Sequence, residues 1–215
     1  MPHQSKLLAG RVEHSTAAGR PLASARNLAR RYLGREALPE GQWCRRVLND
    51  EVAAFLDRLG RQTSSAVEIS GTMHRDSPWR SYETLSFPGF DLCSSTPSRT
   101  FDVVICEQVL EHVVDPWRAA ETLRLLCRPG GHLVVTTPFL IKVHREPQDY
   151  WRFTSEGLRI LLERAGLECL EVESWGNRSC VRRNFLYWAP YQRWRSLRNE
   201  SDFPIVVWAF ARRSS

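Results

Sequence analysis

No Cys-x-x-Cys pair occurs in this chain of 215 residues, although Cys44, Cys93, Cys106, Cys127, Cys169 and Cys180 are scattered along it. That removes the paired-thiol motifs of zinc ribbons and dithiol oxidoreductases. Free thiols in a reducing compartment are expected, and no metal site is assigned. No apolar run is long enough to cross a bilayer, so a soluble, cytoplasmic protein is expected. No Gly-x-Gly-x-x-Gly follows the first strand-like segment, which argues against a dinucleotide-dependent enzyme. There is no internal repeat and no low-complexity tract. The first 35 residues lack the apolar core of a secretory leader. They are rich in Arg, Ala and Ser, as organelle transit peptides are, but Glu13 and Glu36 speak against that reading.

What is present fits one domain with an appendage. The net charge is +6 and arginine carries most of the positive charge. Arginines cluster before residue 50 and again after residue 177, which suits either a solvated basic surface or recognition of an anionic group. A short basic helix is expected over 22–34. Residues 42–59 place Trp43, Val47, Leu48, Val52, Phe55, Leu56 and Leu59 at helical spacing, with Gly60 as the stop. Residues 1–60 thus read as a helical extension, and 61–215 as the main domain.

Within that domain Ala66–Ser70 and Ser81–Phe87 read as strands, and Phe90–Cys93 as a short third one. Phe101–Cys106 holds the β-branched run Val103-Val104-Ile105, which suits a strand buried on both faces. The polar residues Glu107, Gln108, Glu111 and His112 follow at once. Asp115 and Pro116 then supply an N-cap and a first-turn proline for a helix. Pro129-Gly130-Gly131 turns the chain into a strand over 132–137. After a long loop, Thr154 caps a helix that Gly166 ends. Leu167–Ser174 alternates as a strand, and Ile205–Phe210 forms the last one.

The Phe-Asp-Val-Val strand, the Val-Leu-Glu-His-Val loop, the helix and Arg128-Pro-Gly-Gly131 resemble the second half of a class I S-adenosylmethionine-dependent methyltransferase, of the type 11-like kind. The resemblance extends through Thr137-Pro-Phe139, His144, Asp149 and Trp151-Arg152 to Ala165-Gly166, over about residues 65–212. It implies a Rossmann-like α/β sheet, mostly parallel with an antiparallel last strand beside the fifth, helices on both faces and a helical N-terminal extension. It also implies S-adenosyl-L-methionine as cofactor. Residue by residue it points to Glu68, Ser70 and Gly71 at the first strand, Ser86 and Asp91 near the second, and Glu107 and Gln108 after the fourth. Two departures stand out. Ser70 replaces a glycine of the first loop, and Ser86 stands where the family places an acid on its second strand. They motivate a second reading, a degenerate methyltransferase-like binding module.

The acceptor end is expected on the loop Phe139–Phe153, which gathers charge and aromatics at the active rim. His144 is the candidate general base or substrate ligand, with Asp149 orienting it. Alternatively both brace the loop. The segment 177–200 interleaves aromatics and arginines and is expected as an insertion that covers substrate or packs in a homodimer. An anionic membrane surface is a second candidate partner, and a nucleic acid a weaker third. The expected acceptor is a small molecule, anionic or carrier-linked.

Overall fold

The computed structural model describes residues 41–214. The helix expected over 22–34 lies outside the described residues. Six strands form one sheet in the order β2-β1-β3-β4-β6-β5. They are β1 (Ser65–Ile69), β2 (Ser81–Leu85), β3 (Phe101–Glu107), β4 (Cys127–Pro138), β5 (Leu167–Trp175) and β6 (Val206–Arg213). β2, β1, β3 and β4 run parallel, and β6 inserts antiparallel between β4 and β5. This is the expected methyltransferase-like sheet with one antiparallel strand.

Period-two alternation sorts the strand residues onto two faces. Val67, Ile69, Val104, Cys106, Leu133, Val135, Val207 and Ala209 enter one core. Helix α2 (Pro116–Leu126) covers it with Ala119, Ala120, Leu123 and Leu126, and helix α3 (Ser155–Arg164) with Leu158, Leu161 and Leu162. Ala66, Val103, Ile105, Val134, Val206, Trp208 and Phe210 enter the other core. Helix α1 (Arg46–Arg58) covers that face with Leu48, Val52, Phe55 and Leu56. Phe55 stacks on Phe210 at 4.1 Å between centroids. Each fully buried leucine contributes roughly 1.5–3 kcal/mol.

The caps follow the sequence. Asp115 accepts the Arg118 N–H at the start of α2, with Pro116 in the first turn. Thr154 does the same for the Gly157 N–H in α3. A 3-10 turn, Trp43–Arg45, precedes α1 and brings Arg45 toward the sheet. In the segment 177–200, Asn177 caps a short helix α4 (Arg178–Asn184). The remainder is held as loop, with the Trp43 indole N–H donating to the Ser196 carbonyl.

Two expectations need correction. Phe90–Cys93 is not a strand but a pair of turns. The Asp91 carboxylate accepts the N–H of Cys93 and the hydroxyl of Ser94, a local alternative to strand pairing. Pro129-Gly130-Gly131 is not a separate turn. It belongs to β4, whose pairing with β3 shifts register between Phe101 and Val103, with Gly130 at φ 73°.

Candidate active site

In an open α/β sheet the ligand edge lies past the carboxyl ends of the strands. At the end of β1, Glu68 is buried, and its carboxylate accepts the Met73 N–H (2.9 Å), the His74 N–H (3.0 Å) and the Tyr82 hydroxyl (2.6 Å). These bonds hold down the loop after β1. A Cβ on Gly71 would lie 2.2 Å from Glu68 Oε1, so any side chain there would have to displace the Glu68 carboxylate from its amide partners. Ser70 takes a left-handed backbone at φ 55°, a conformation that costs a non-glycine residue energy. The structure thus brings Glu68, Ser70 and Gly71 together.

Glu107 ends β3 and faces the same loop. His74 Nε2 lies 2.7 Å from Glu107 Oε1, and Arg45 Nη2 donates to Oε2 at 2.9 Å. The Thr136 hydroxyl is 3.5 Å from Oε2. Burial opposes the Glu107 charge, but the His74 hydrogen bond and the Arg45 charge outweigh it and hold the carboxyl below its usual range. Gln108 follows at φ 55°, its main-chain N–H donating to the Thr136 carbonyl (2.8 Å) and its side chain to the Thr136 hydroxyl (3.0 Å). The other two expected cofactor residues follow β2, where the Leu85 carbonyl just before Ser86 accepts the Ser70 N–H at 2.9 Å. Ser86 is exposed after β2, and Asp91 is used in its own turn.

The loop after β4 carries His144 and Asp149. Asp149 accepts the main-chain N–H of His144 at 2.8 Å and the Arg152 guanidinium at 2.6 Å. It therefore meets His144 through the backbone rather than the ring. Burial opposes the Asp149 charge, but the Arg152 hydrogen bond prevails and lowers the carboxyl to about 2. The His144 ring lies edge-on to His112 (4.9 Å) and to Trp188 (5.7 Å). Burial pushes the His144 imidazolium below its ordinary range, which favours the neutral ring. Trp151 and Arg152 are structural: the Trp151 indole N–H donates to the Val113 carbonyl, and Arg152 serves Asp149.

A cavity of about 240 Å³ opens between these parts. Gln42, Arg45, Gln108, Ile141, His144 and Trp188 are among its lining residues. A larger hollow, about 420 Å³, lies near Asp57, Gly60 and Arg61, by the amino end of β1. No parallel strand presents its carboxyl end there, so we do not assign the site to it. Sequence reasoning did not single out Arg45 or His74, and placed Trp188 among the aromatics of the 177–200 insertion. Each reaches the site from a distant segment, and no local motif marks that.

A family model described as a methyltransferase domain matches residues 40–172. Ubiquinone biosynthesis O-methyltransferase of Aeromonas salmonicida (strain A449) is 39% identical over 57 residues, 26% of this chain and 21% of that protein. The namesake from Alkalilimnicola ehrlichii is 38% identical over 63 residues, 29% of this chain and 23% of that one. The chain thus spans about a fifth of the length of these curated relatives. A S-adenosylmethionine-dependent methyltransferase from Clostridium acetobutylicum shares the fold with a TM-score of 0.51 at 8% identity, covering 90% of this chain and all of that one. Matched parallel strands, the antiparallel β6 and a family model over more than half the chain converge. The chain belongs to the class I S-adenosylmethionine-dependent methyltransferase family, and S-adenosylmethionine is its cofactor.

Proposed function

We propose that the chain methylates a small hydroxyl-bearing acceptor held in the cavity between Gln108, His144 and Trp188. S-adenosylmethionine supplies, when bound, an electrophilic methyl group on a sulfonium. Three features of the edge fit it. Gly71 carries no side chain, which lets the Glu68 carboxylate tuck against the first loop and fix its backbone at the cofactor edge. Ser70 and Gln108 hold left-handed turns at the ends of neighbouring strands. Glu107 accepts three partners, and a carboxylate has about four lone-pair directions, which leaves one for a polar group of the cofactor. Ser86 offers a hydroxyl in place of an acid, so the ribose is held less firmly on that side. Glu68 acts indirectly, by fixing the loop.

His144 is the group placed to touch the acceptor. It lines the cavity, and its ring is not hydrogen-bonded to Asp149. A neutral imidazole there can take the hydroxyl proton as the methyl group transfers, and general bases contribute roughly 10²- to 10⁴-fold. Asp149 and Arg152 keep the loop in place. Trp188 offers a flat apolar wall, over which the Lys142 ammonium sits at 5.5 Å. A planar acceptor with an anionic group suits that pair. The oxygen nucleophile is supported by the O-methyltransferase relatives, although their match is short. The observation that carries the reading is the cavity at the carboxyl ends of β3 and β4 with His144 on its wall.

The test uses methyl-labelled S-adenosylmethionine with paired small phenols and anilines of equal shape. Label on the phenols, reduced about 100-fold by His144→Gln, is expected. Label on the anilines alone would replace oxygen by nitrogen, and an unchanged His144→Gln rate would remove His144 from the reaction.

A further inference from the structure

Just past Glu107 stands a second buried carboxylate with different surroundings. Glu111 is 0% exposed, and neither carboxylate oxygen has a hydrogen-bond partner. Buried polar groups are nearly always paired, so such an orphan calls for an explanation. Two histidines lie beside it. Ligand-capable atoms of Glu111, His112 and His144 all lie within 4.8 Å of one another.

The spacing and the tautomer both suit a bound ion. His112 Nε2 is 3.6 Å from Glu111 Oε1, too long for a hydrogen bond. It is close to the roughly 3.4 Å edge of a tetrahedron whose centre lies about 2.1 Å from each ligand. His112 Nδ1 meets the Gln148 carbonyl and so carries a hydrogen, which leaves Nε2, facing Glu111, as the ligand atom of the neutral ring. A histidine ligand is oriented in this way by an outer hydrogen bond to a carbonyl. His144 sits on a loop held at its main chain by Asp149, and a shift of about 1 Å closes the set.

We propose that Glu111, His112 and His144 bind one divalent first-row transition metal, with zinc as the reference ion. Two imidazoles and one carboxylate form a nitrogen-rich donor set that suits zinc, manganese or iron(II) rather than calcium or magnesium. Three protein ligands leave a fourth position open, as in catalytic sites. Because His144 lines the cavity, that position faces the acceptor. An acceptor hydroxyl coordinated there gives up its proton to water. The resulting oxygen forms the new O–CH3 bond, and the cofactor sulfur keeps the electrons of the broken C–S bond. With the ion bound His144 is a ligand and no longer the proton acceptor; its direct general-base role belongs to the metal-free chain. No local motif marks the site in the sequence, because His144 comes from a different loop than Glu111 and His112. The site shares one cavity with Gln108 of the cofactor edge, and its role in catalysis rests on the proposed function.

The tag-free full chain, stripped with chelator, is titrated with zinc chloride by calorimetry and with cobalt chloride by visible absorption. One equivalent per chain with micromolar or tighter affinity is expected, together with cobalt bands of a low-coordinate site. Glu111→Gln and His144→Gln should each weaken zinc binding at least 10-fold. His144 lies on a surface loop, so that variant keeps the test valid if Glu111→Gln folds poorly. S-adenosylmethionine binding is measured on the same samples, so loss of the methyltransferase reading is distinguishable from loss of the metal site. Absence of saturable zinc binding by the wild type, or equal affinity in both variants, overturns the proposal.

Discussion

Glu107 and Glu111 lie four residues apart after the same strand, and both are almost fully buried, yet they behave in opposite ways. Glu107 has His74, Arg45 and Thr136 around it and stays charged. The Glu111 carboxylate has no hydrogen-bond partner on another residue, and burial raises its carboxyl to about 7, only partly offset by its own main-chain N–H and by the charges of Arg152 and Arg45. The difference shows that partners, and not depth alone, set the charge of a buried acid. Glu107 is an electrostatic anchor that ties α1 and the loop after β1 to the sheet. Glu111 is a donor awaiting a cation.

The contrast can be broken from either side. The largest effect is expected for Glu107→Gln. Losing the charged partner of Arg45 and His74 should cost about 3 kcal/mol in urea unfolding, and cofactor affinity should fall at least 10-fold. Gly71→Ala attacks the same anchor indirectly. Its Cβ collides with Glu68 and displaces the carboxylate from the Met73 and His74 amides. About 2 kcal/mol of lost stability and weaker cofactor binding should follow. Glu111→Gln should move the opposite way. In metal-free protein at pH 8 it removes a buried charge that has no hydrogen-bond partner on another residue and should stabilise by about 1 kcal/mol. Saturating zinc should reverse that sign.

The smallest effect serves as a control at the other end of the sheet. Asp102 accepts the Ser65 N–H (2.8 Å) and hydroxyl (2.6 Å) and pairs with Arg80 and Arg128. Burial opposes its charge, but these partners prevail and lower its pKa. An acid with a depressed folded value stabilises above its unfolded value, and that contribution is lost as pH falls through the folded value. Asp102→Asn should therefore cost about 1 kcal/mol at pH 7, after allowance for solvent screening, and progressively less in acid. Urea midpoints at pH 7 and pH 3 check it.

The strands β3 and β4, the helices α2 and α3 and the caps Asp115 and Thr154 were readable from sequence because their signals are local: β-branched runs, helical spacing, a side chain three residues from its partner N–H. The third strand failed for a local reason too, since Asp91, Ser94 and Ser95 favour turns over a ladder. The site was legible only in part. Glu68, Ser70, Gly71, Glu107 and Gln108 sit at strand ends, where the resemblance points. Arg45, His74 and Trp188 come from other segments and meet there only after folding. The sequence placed Asp149 beside His144 but not the atom it meets, because a sequence cannot say whether a carboxylate contacts a neighbour's ring or its backbone. Among the described residues no helix is long and apolar enough to cross a membrane, which agrees with the absence of a long apolar run.

The central claim is that the edge formed by Ser70, Gly71, Glu107 and Gln108 holds S-adenosylmethionine. Calorimetric titration of the wild type and of Glu107→Ala with S-adenosylmethionine and S-adenosylhomocysteine tests it most directly. The account predicts micromolar binding of both by the wild type, weakened at least 10-fold in the variant. An intact fold that gives no binding heat, or a Glu107→Ala variant that binds as tightly as the wild type, would contradict it.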